Sequence, residues 1–220
     1  FGAGNVTASN ADAYVTKLNS SGAHQWTTTF GGTSVEVGFG VAVDGSGNVH
    51  VTGYFQGTVD FGAGDVTSAG SNDVFVTKLN SSGAHQWTTT LGGTSDDRGQ
   101  SVAVDGSGNV HTSGYFQGTV DFGAGNVTSA GSADVFVVKL NSAGQAVVAG
   151  GGGTPAGAWD TTAGSDTNYG SITFGGTGTD YGYDVAVDGS GNVYTTGAFA
   201  GTVNFGAGNV TSNGSLDVFV

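Results

Sequence analysis

The stretch Val41-Ala42-Val43-Asp44-Gly45-Ser46-Gly47-Asn48-Val49 occurs three times, starting at Val41, Val102 and Val185. Its valines alternate, so Val41 and Val43 share one face of an extended strand. Asp-Gly-Ser-Gly-Asn follows as a tight turn, because glycine supplies the positive φ that short hairpins need. The phrase therefore predicts a β-hairpin, present three times.

Reading outward, other phrases return with it. Phe-Gly-Ala-Gly begins at Phe1, Phe61, Phe122 and Phe205, and the eleven residues from Thr16 to Trp26 recur from Thr77 to Trp87. The spacing is about 60 residues per unit, and the third copy carries an insertion. Each unit reads as four strands. In the second copy these are Phe39 to Asp44, Val49 to Phe55, Asp73 to Leu79 and His85 to Leu91, with a longer loop through Asp60–Gly64 between the second and third. No window shows apolar spacing at 3.6 residues, so no helix is expected. A four-stranded unit of this size buries its sheet faces only against neighbouring units. The expectation is all-β: blades of four antiparallel strands, about three and a half of them, forming part of a larger propeller or assembly.

The ordered phrases Gly92–Asp97, Val102–His111 and Asp73–Asn80 resemble the SBBP β-propeller repeat family. The resemblance spans nearly the whole chain except about residues 145–170. It implies a secreted or surface protein of bacterial or archaeal type, and no common catalysis. It divides the chain into a part-blade over 1–34, a blade over 35–95, a blade over 96–176 with its insertion at about 145–170, and a part-blade over 177–220. The first and last copies both own a third strand, so they do not merge into one blade. Further blades of the same polypeptide, or other copies of the chain, are the expected partners.

Composition narrows the function. The chain holds four Lys and Arg against 17 Asp and Glu, a formal charge of −13. Nucleic-acid binding needs cations to neutralise phosphates, so it is not expected; nor is membrane insertion. With no cysteine there is neither a disulfide nor a thiolate site. The acidity suits an extracellular or cell-surface location, with calcium as the one cofactor to consider.

The candidate calcium ligands are the hairpin residues Asp44, Asp105 and Asp188, set against the simpler reading that they bond to their own turns. Glu36, Asp96-Asp97 and Asp180 precede the first strands and, with Asp60, Asp65 and Asp121 in the long loops, read as a solvated acidic rim, weak divalent-cation binding at one rim being the alternative. Trp26, Trp87 and Trp159 are the candidate ligand-stacking residues, with Tyr54 and Tyr115 as a second set. His50 and His111 hold equivalent positions, replaced by Tyr194 in the last copy, which argues against a unique catalytic role. Neighbouring Asp96 and Asp97 point to opposite sheet faces, poor geometry for a catalytic pair. The sequence thus favours a non-catalytic structural or adhesive module that self-assembles through open blade edges. A glycan-binding propeller is the alternative, and a propeller hydrolase or lyase ranks third.

Overall fold

The computed structural model describes residues 5, 7, 8, 10–147 and 170–220, and among them there is no helix. The first copy contributes β1 (Ala13–Leu18) and β2 (His24–Gly32). The second has β3 (Glu36–Val43), β4 (Val49–Phe55), a short hairpin of β5 (Thr58–Asp60) and β6 (Asp65–Thr67), then β7 (Asp73–Leu79) and β8 (His85–Leu91). The third repeats this as β9 (Arg98–Val104), β10 (Val110–Phe116), β11 (Thr119–Asp121), β12 (Asn126–Thr128), β13 (Asp134–Leu140) and β14 (Ser171–Phe174). The fourth has β15 (Tyr181–Val187), β16 (Val193–Phe199), β17 (Thr202–Asn204), β18 (Asn209–Thr211) and β19 (Asp217–Phe219). The two central sheets are antiparallel meanders, β3-β4-β7-β8 and β9-β10-β13-β14. The expected all-β architecture of four-stranded units is present. The insertion leaves β13 and returns as β14, a fourth strand; most of it, with Trp159, lies outside the described residues.

Two expectations need correction. The longer loop through Asp60–Gly64 is the tip of the β5–β6 hairpin. Its Asp60 Oδ1 accepts the N–H groups of Gly62 and Gly64, and the Thr58 and Thr67 hydroxyls bond across it at 2.8 Å. Three-residue strands are too short to show a period in sequence. The first strand also starts earlier, at Glu36, because a bulge between Gly38 and Gly40 hides the alternation. The same bulge recurs in β9 and β15, making Phe39, Gln100 and Tyr183 the extra residues.

Alternation sends the two faces of each sheet into different neighbours. In the second sheet, Val49, Val51, Phe55, Phe75 and Leu79 pack toward the first, while Val74 and Val76 pack with Phe116, Phe136, Val138 and Leu140 of the third. Val135 and Val137 then turn toward Val185, Phe199 and Phe219 of the fourth. The result is one core per blade junction. Each fully buried Phe or Leu adds about 1.5–3 kcal/mol.

The short hairpin ties each junction. Val59 pairs back to Gly32 at the end of β2, and Val120 to Gly93 at the end of β8. Below it sits the Phe of Phe-Gly-Ala-Gly: Phe61 meets Phe55 edge-on at 5.4 Å, and Phe122 meets Phe116 at 5.3 Å. The first strands β3, β9 and β15 lie beside one another. A Cβ on Gly40 would come within 2.9 Å of the Ser101 backbone, and the Ser101 hydroxyl donates to Asp184.

Candidate functional site

The Asp-Gly-Ser-Gly-Asn hairpins fold around their aspartates. Asp44 Oδ1 accepts the N–H groups of Ser46 and Asn48, both at 2.9 Å, and Oδ2 accepts the Asn48 side-chain amide at 2.8 Å. Gly47 takes a φ of 80°, as the turn requires. Asp105 makes the same bonds to Ser107 and Asn109, and Asp188 to Ser190 and Asn192. His50 and His111 stand 3.5 and 3.3 Å from Asp44 and Asp105, and Tyr194 donates its hydroxyl to Asp188. Lys78 adds a cation 3.7 Å from Asp44. Burial works against ionisation of Asp44, but the bonds from Asn48, Ser46 and His50 outweigh it and hold its carboxyl at about 2. Burial pushes His50 and His111 down, favouring neutral rings. The three aspartates, offered above as calcium ligands, spend their oxygens on their own turns and sit in separate blades. Among the described residues no three of His, Cys, Asp and Glu gather closely enough to hold a metal.

The tryptophans act as clamps between blades. Trp26 Nε1 donates to the Ser81 carbonyl at 3.1 Å, and its ring covers Gly83, where a Cβ would meet it at 2.8 Å. Trp87 repeats this one unit later, donating to Ser142 at 3.1 Å and covering Gly144. Each therefore spends its N–H and one ring face on the next blade's turn, rather than presenting both to a ligand. Tyr54 and Tyr115 are similarly engaged. The Arg98 guanidinium lies 4.5 Å above the Tyr54 ring, and Tyr115 meets Tyr181 edge-on at 4.9 Å. The exposed aromatic rings of this region are instead Phe39 and Tyr183, the bulge residues.

The acidic rim is a further correction. Glu36, Asp97 and Asp180 are buried, at 1 %, 0 % and 1 % exposure. They face inward because each carboxylate caps backbone N–H groups at a blade junction: Glu36 that of Gly32, Asp97 those of Gly93 and Gln117, Asp180 those of Gly176 and Ala200. Burial, reinforced by the neighbouring charges of Asp73 and Asp96, pushes Asp97 up to about 6 against the pull of its two N–H donors. Asp96 turns the other way, to Arg98 and Asn72, as alternation requires. Asp60, Asp65 and Asp121 are exposed on the short hairpins.

The most distinctive surfaces are the two ends of the row of sheets. β1 is an edge strand. Beside it lies a groove of about 530 Å³, lined by Tyr14, Thr16, Phe39, Val41 and Val51. Its Tyr14, Phe39 and Val41 are exposed, and so are Leu18 and Val43 farther along β1 and β3. At the opposite end β19 is the edge, with Tyr194, Leu216, Val218 and Val220 exposed. The repeat register held the signal for this groove. Residues equivalent to Tyr14 and Leu18 are Phe75 and Leu79, both fully buried by the preceding sheet.

No curated protein matches this chain. Each family match runs from a fourth strand, through the next first strand with Glu36 or Asp97 at its start, into the second strand. Residues 25–54 and 86–115 match the SBBP beta-propeller repeat, so the chain carries repeats of that family in its all-β sheets.

Proposed function

We propose that this chain is a non-catalytic extracellular or cell-surface module that works as structure and adhesion, docking further like blades on its two end faces. The observation that carries the reading is the exposure of Leu18 and Val41 at positions whose equivalents, Leu79 and Val102, are buried by a neighbouring sheet. The two faces differ, so their union is head to tail, giving rings or filaments. The free edges of β1 and β19 add main-chain hydrogen bonds to the apolar contact. Low basic content and strong acidity support a place outside the cell. Engagement of the Asp hairpins, tryptophans and histidines in the fold supports the absence of catalysis.

Light scattering across a concentration series tests it. Mass should rise with concentration, and Val41→Asp should hold the chain at monomer mass. A wild-type chain monomeric throughout the series would contradict the reading.

Glycan binding is the second reading, favoured by Phe39 and Tyr183, which are half exposed at equivalent bulges beside the first strands. Binding to a glycan panel, lost in Phe39→Ala with Tyr183→Ala, is its test.

A further inference from the structure

Repeats this alike raise a problem of order. The hairpin phrase from Val41 returns unchanged at Val102 and Val185, and Thr16 to Trp26 returns unchanged at Thr77. A segment built for one blade therefore fits another, and near-identical neighbours are prone to misassembly and domain swapping. Only the residues that differ between copies can tell the blades apart.

Several of those differences meet one another across the blade junctions. At each junction the residue before the third-strand aspartate forms a backbone bridge to the residue before Glu36, Asp97 or Asp180. The pairs are Ala11 with Val35, Asn72 with Asp96, and Ala133 with Thr179. The backbone is constant: the N–H groups of Glu36, Asp97 and Asp180 donate to the carbonyls of Ala11, Asn72 and Ala133 at 2.7–2.9 Å. The side chains change together, from two apolar groups, to an amide with a carboxylate, to a methyl with a hydroxyl. The Asn72 amide donates to Asp96 Oδ1, which also accepts Arg98 Nε at 3.1 Å, and Asp96 Oδ2 lies 3.1 Å from a second guanidinium nitrogen.

Two further positions vary in the same matched way. Val37, Arg98 and Tyr181 are equivalent residues. The Arg98 guanidinium lies 4.5 Å above the ring of Tyr54 in the preceding blade, and Tyr181 meets Tyr115 of its preceding blade edge-on at 4.9 Å. Gly40, Ser101 and Asp184 are equivalent too. A Cβ on Gly40 would come within 2.9 Å of the Ser101 backbone, whereas the Ser101 hydroxyl donates to Asp184 at 2.5 Å.

From this matched variation on a constant backbone we infer that these positions specify which blade stands beside which. Asn72 and Tyr54 select the third blade through Asp96 and Arg98. Ser101 and Tyr115 select the fourth through Asp184 and Tyr181. A blade in the wrong place breaks the match. With β3 in the place of β9, Asn72 would meet Val35 and Tyr54 would meet Val37, so the amide loses its carboxylate and the ring its cation. The junction cores, built from repeated Val, Phe and Leu, do not discriminate in this way.

Melting and refolding test it, in the Val41→Asp background, where the end-face docking proposed above makes no contribution. Asp96→Val alone should lower the melting temperature by about 4 °C or more. Adding Asn72→Ala and Arg98→Val gives this junction the residues of the first, and should recover at least half of that loss. The same triple variant should lose order. Refolded from denaturant at high concentration, it should give several-fold more intertwined dimer than its parent, seen by light scattering as a mass that persists on dilution. Simply additive losses in the triple variant would overturn the matching. A triple variant that regains stability and refolds as cleanly as its parent would show contacts that stabilise without specifying, and would overturn the inference as well.

Discussion

Leu79 and Leu18 occupy the same place in consecutive repeats, inside identical eleven-residue phrases. One is fully buried and the other is 53 % exposed. Val102 and Val41 differ in the same way, at 6 % and 61 %. The local sequence is unchanged in each pair; only the neighbouring sheet differs. Burial here is a property of the row of blades, as expected of quasi-one-dimensional repeat folds. What a blade contributes depends on which blade stands beside it.

The largest expected effect breaks this comparison directly. Leu79→Ala should destabilise the chain by about 2–5 kcal/mol, while Leu18→Ala should cost about 0.5 kcal/mol or less in dilute solution. Chemical denaturation of both variants checks the contrast. Equal costs would mean that Leu18 is covered in solution. Gly92→Ala comes next. Its Cβ collides with the Asp73 carboxyl, so a loss of about 1–3 kcal/mol is expected. Gly45→Ala meets no atom within 4 Å and serves as the control, with little change in melting temperature.

A smaller loss, about 1 kcal/mol, is expected for Trp87→Phe, which deletes the bond to the Ser142 carbonyl. Hydrogen exchange should show the loss at the Asn141–Gly144 turn of the next blade. Acid titration gives the finest distinction. Asp44 sits at about 2 in the folded chain, against about 3.9 when unfolded. On acidification the unfolded chain takes that proton first. The stability from Asp44 is therefore complete above about pH 4 and lost as pH falls toward 2. Asp44→Asn should flatten the acid limb in that window, read by near-ultraviolet circular dichroism.

Much of the fold was legible because the repeat makes the alternation in Val41–Val43 and Asp73–Leu79 unmistakable. The β5–β6 hairpin was not, since three residues carry no period. The bulges at Phe39 and Tyr183 were hidden because one extra residue reverses the facing pattern. The candidate sites were harder. Asp44 was readable as a self-bonded turn from its Gly and Asn neighbours. Glu36, Asp97 and Asp180 looked like surface charge because acidic residues near turns usually are; each caps a glycine N–H four residues upstream, and Asp97 and Asp180 also cap Gln117 and Ala200, 20 residues away and brought near by the fold. Trp26 and Trp87 could not be placed from one blade, because their partners Ser81 and Ser142 lie 55 residues away in the next.

The end faces are proposed to dock like blades as the interior faces do. Hydrogen exchange of β1 and β3 against β7 and β9, at low and high chain concentration, tests this most directly. Slow exchange in β7 and β9 at both concentrations is predicted, with fast exchange in β1 that slows as concentration rises. Protection in β1 that is the same at both concentrations would contradict it.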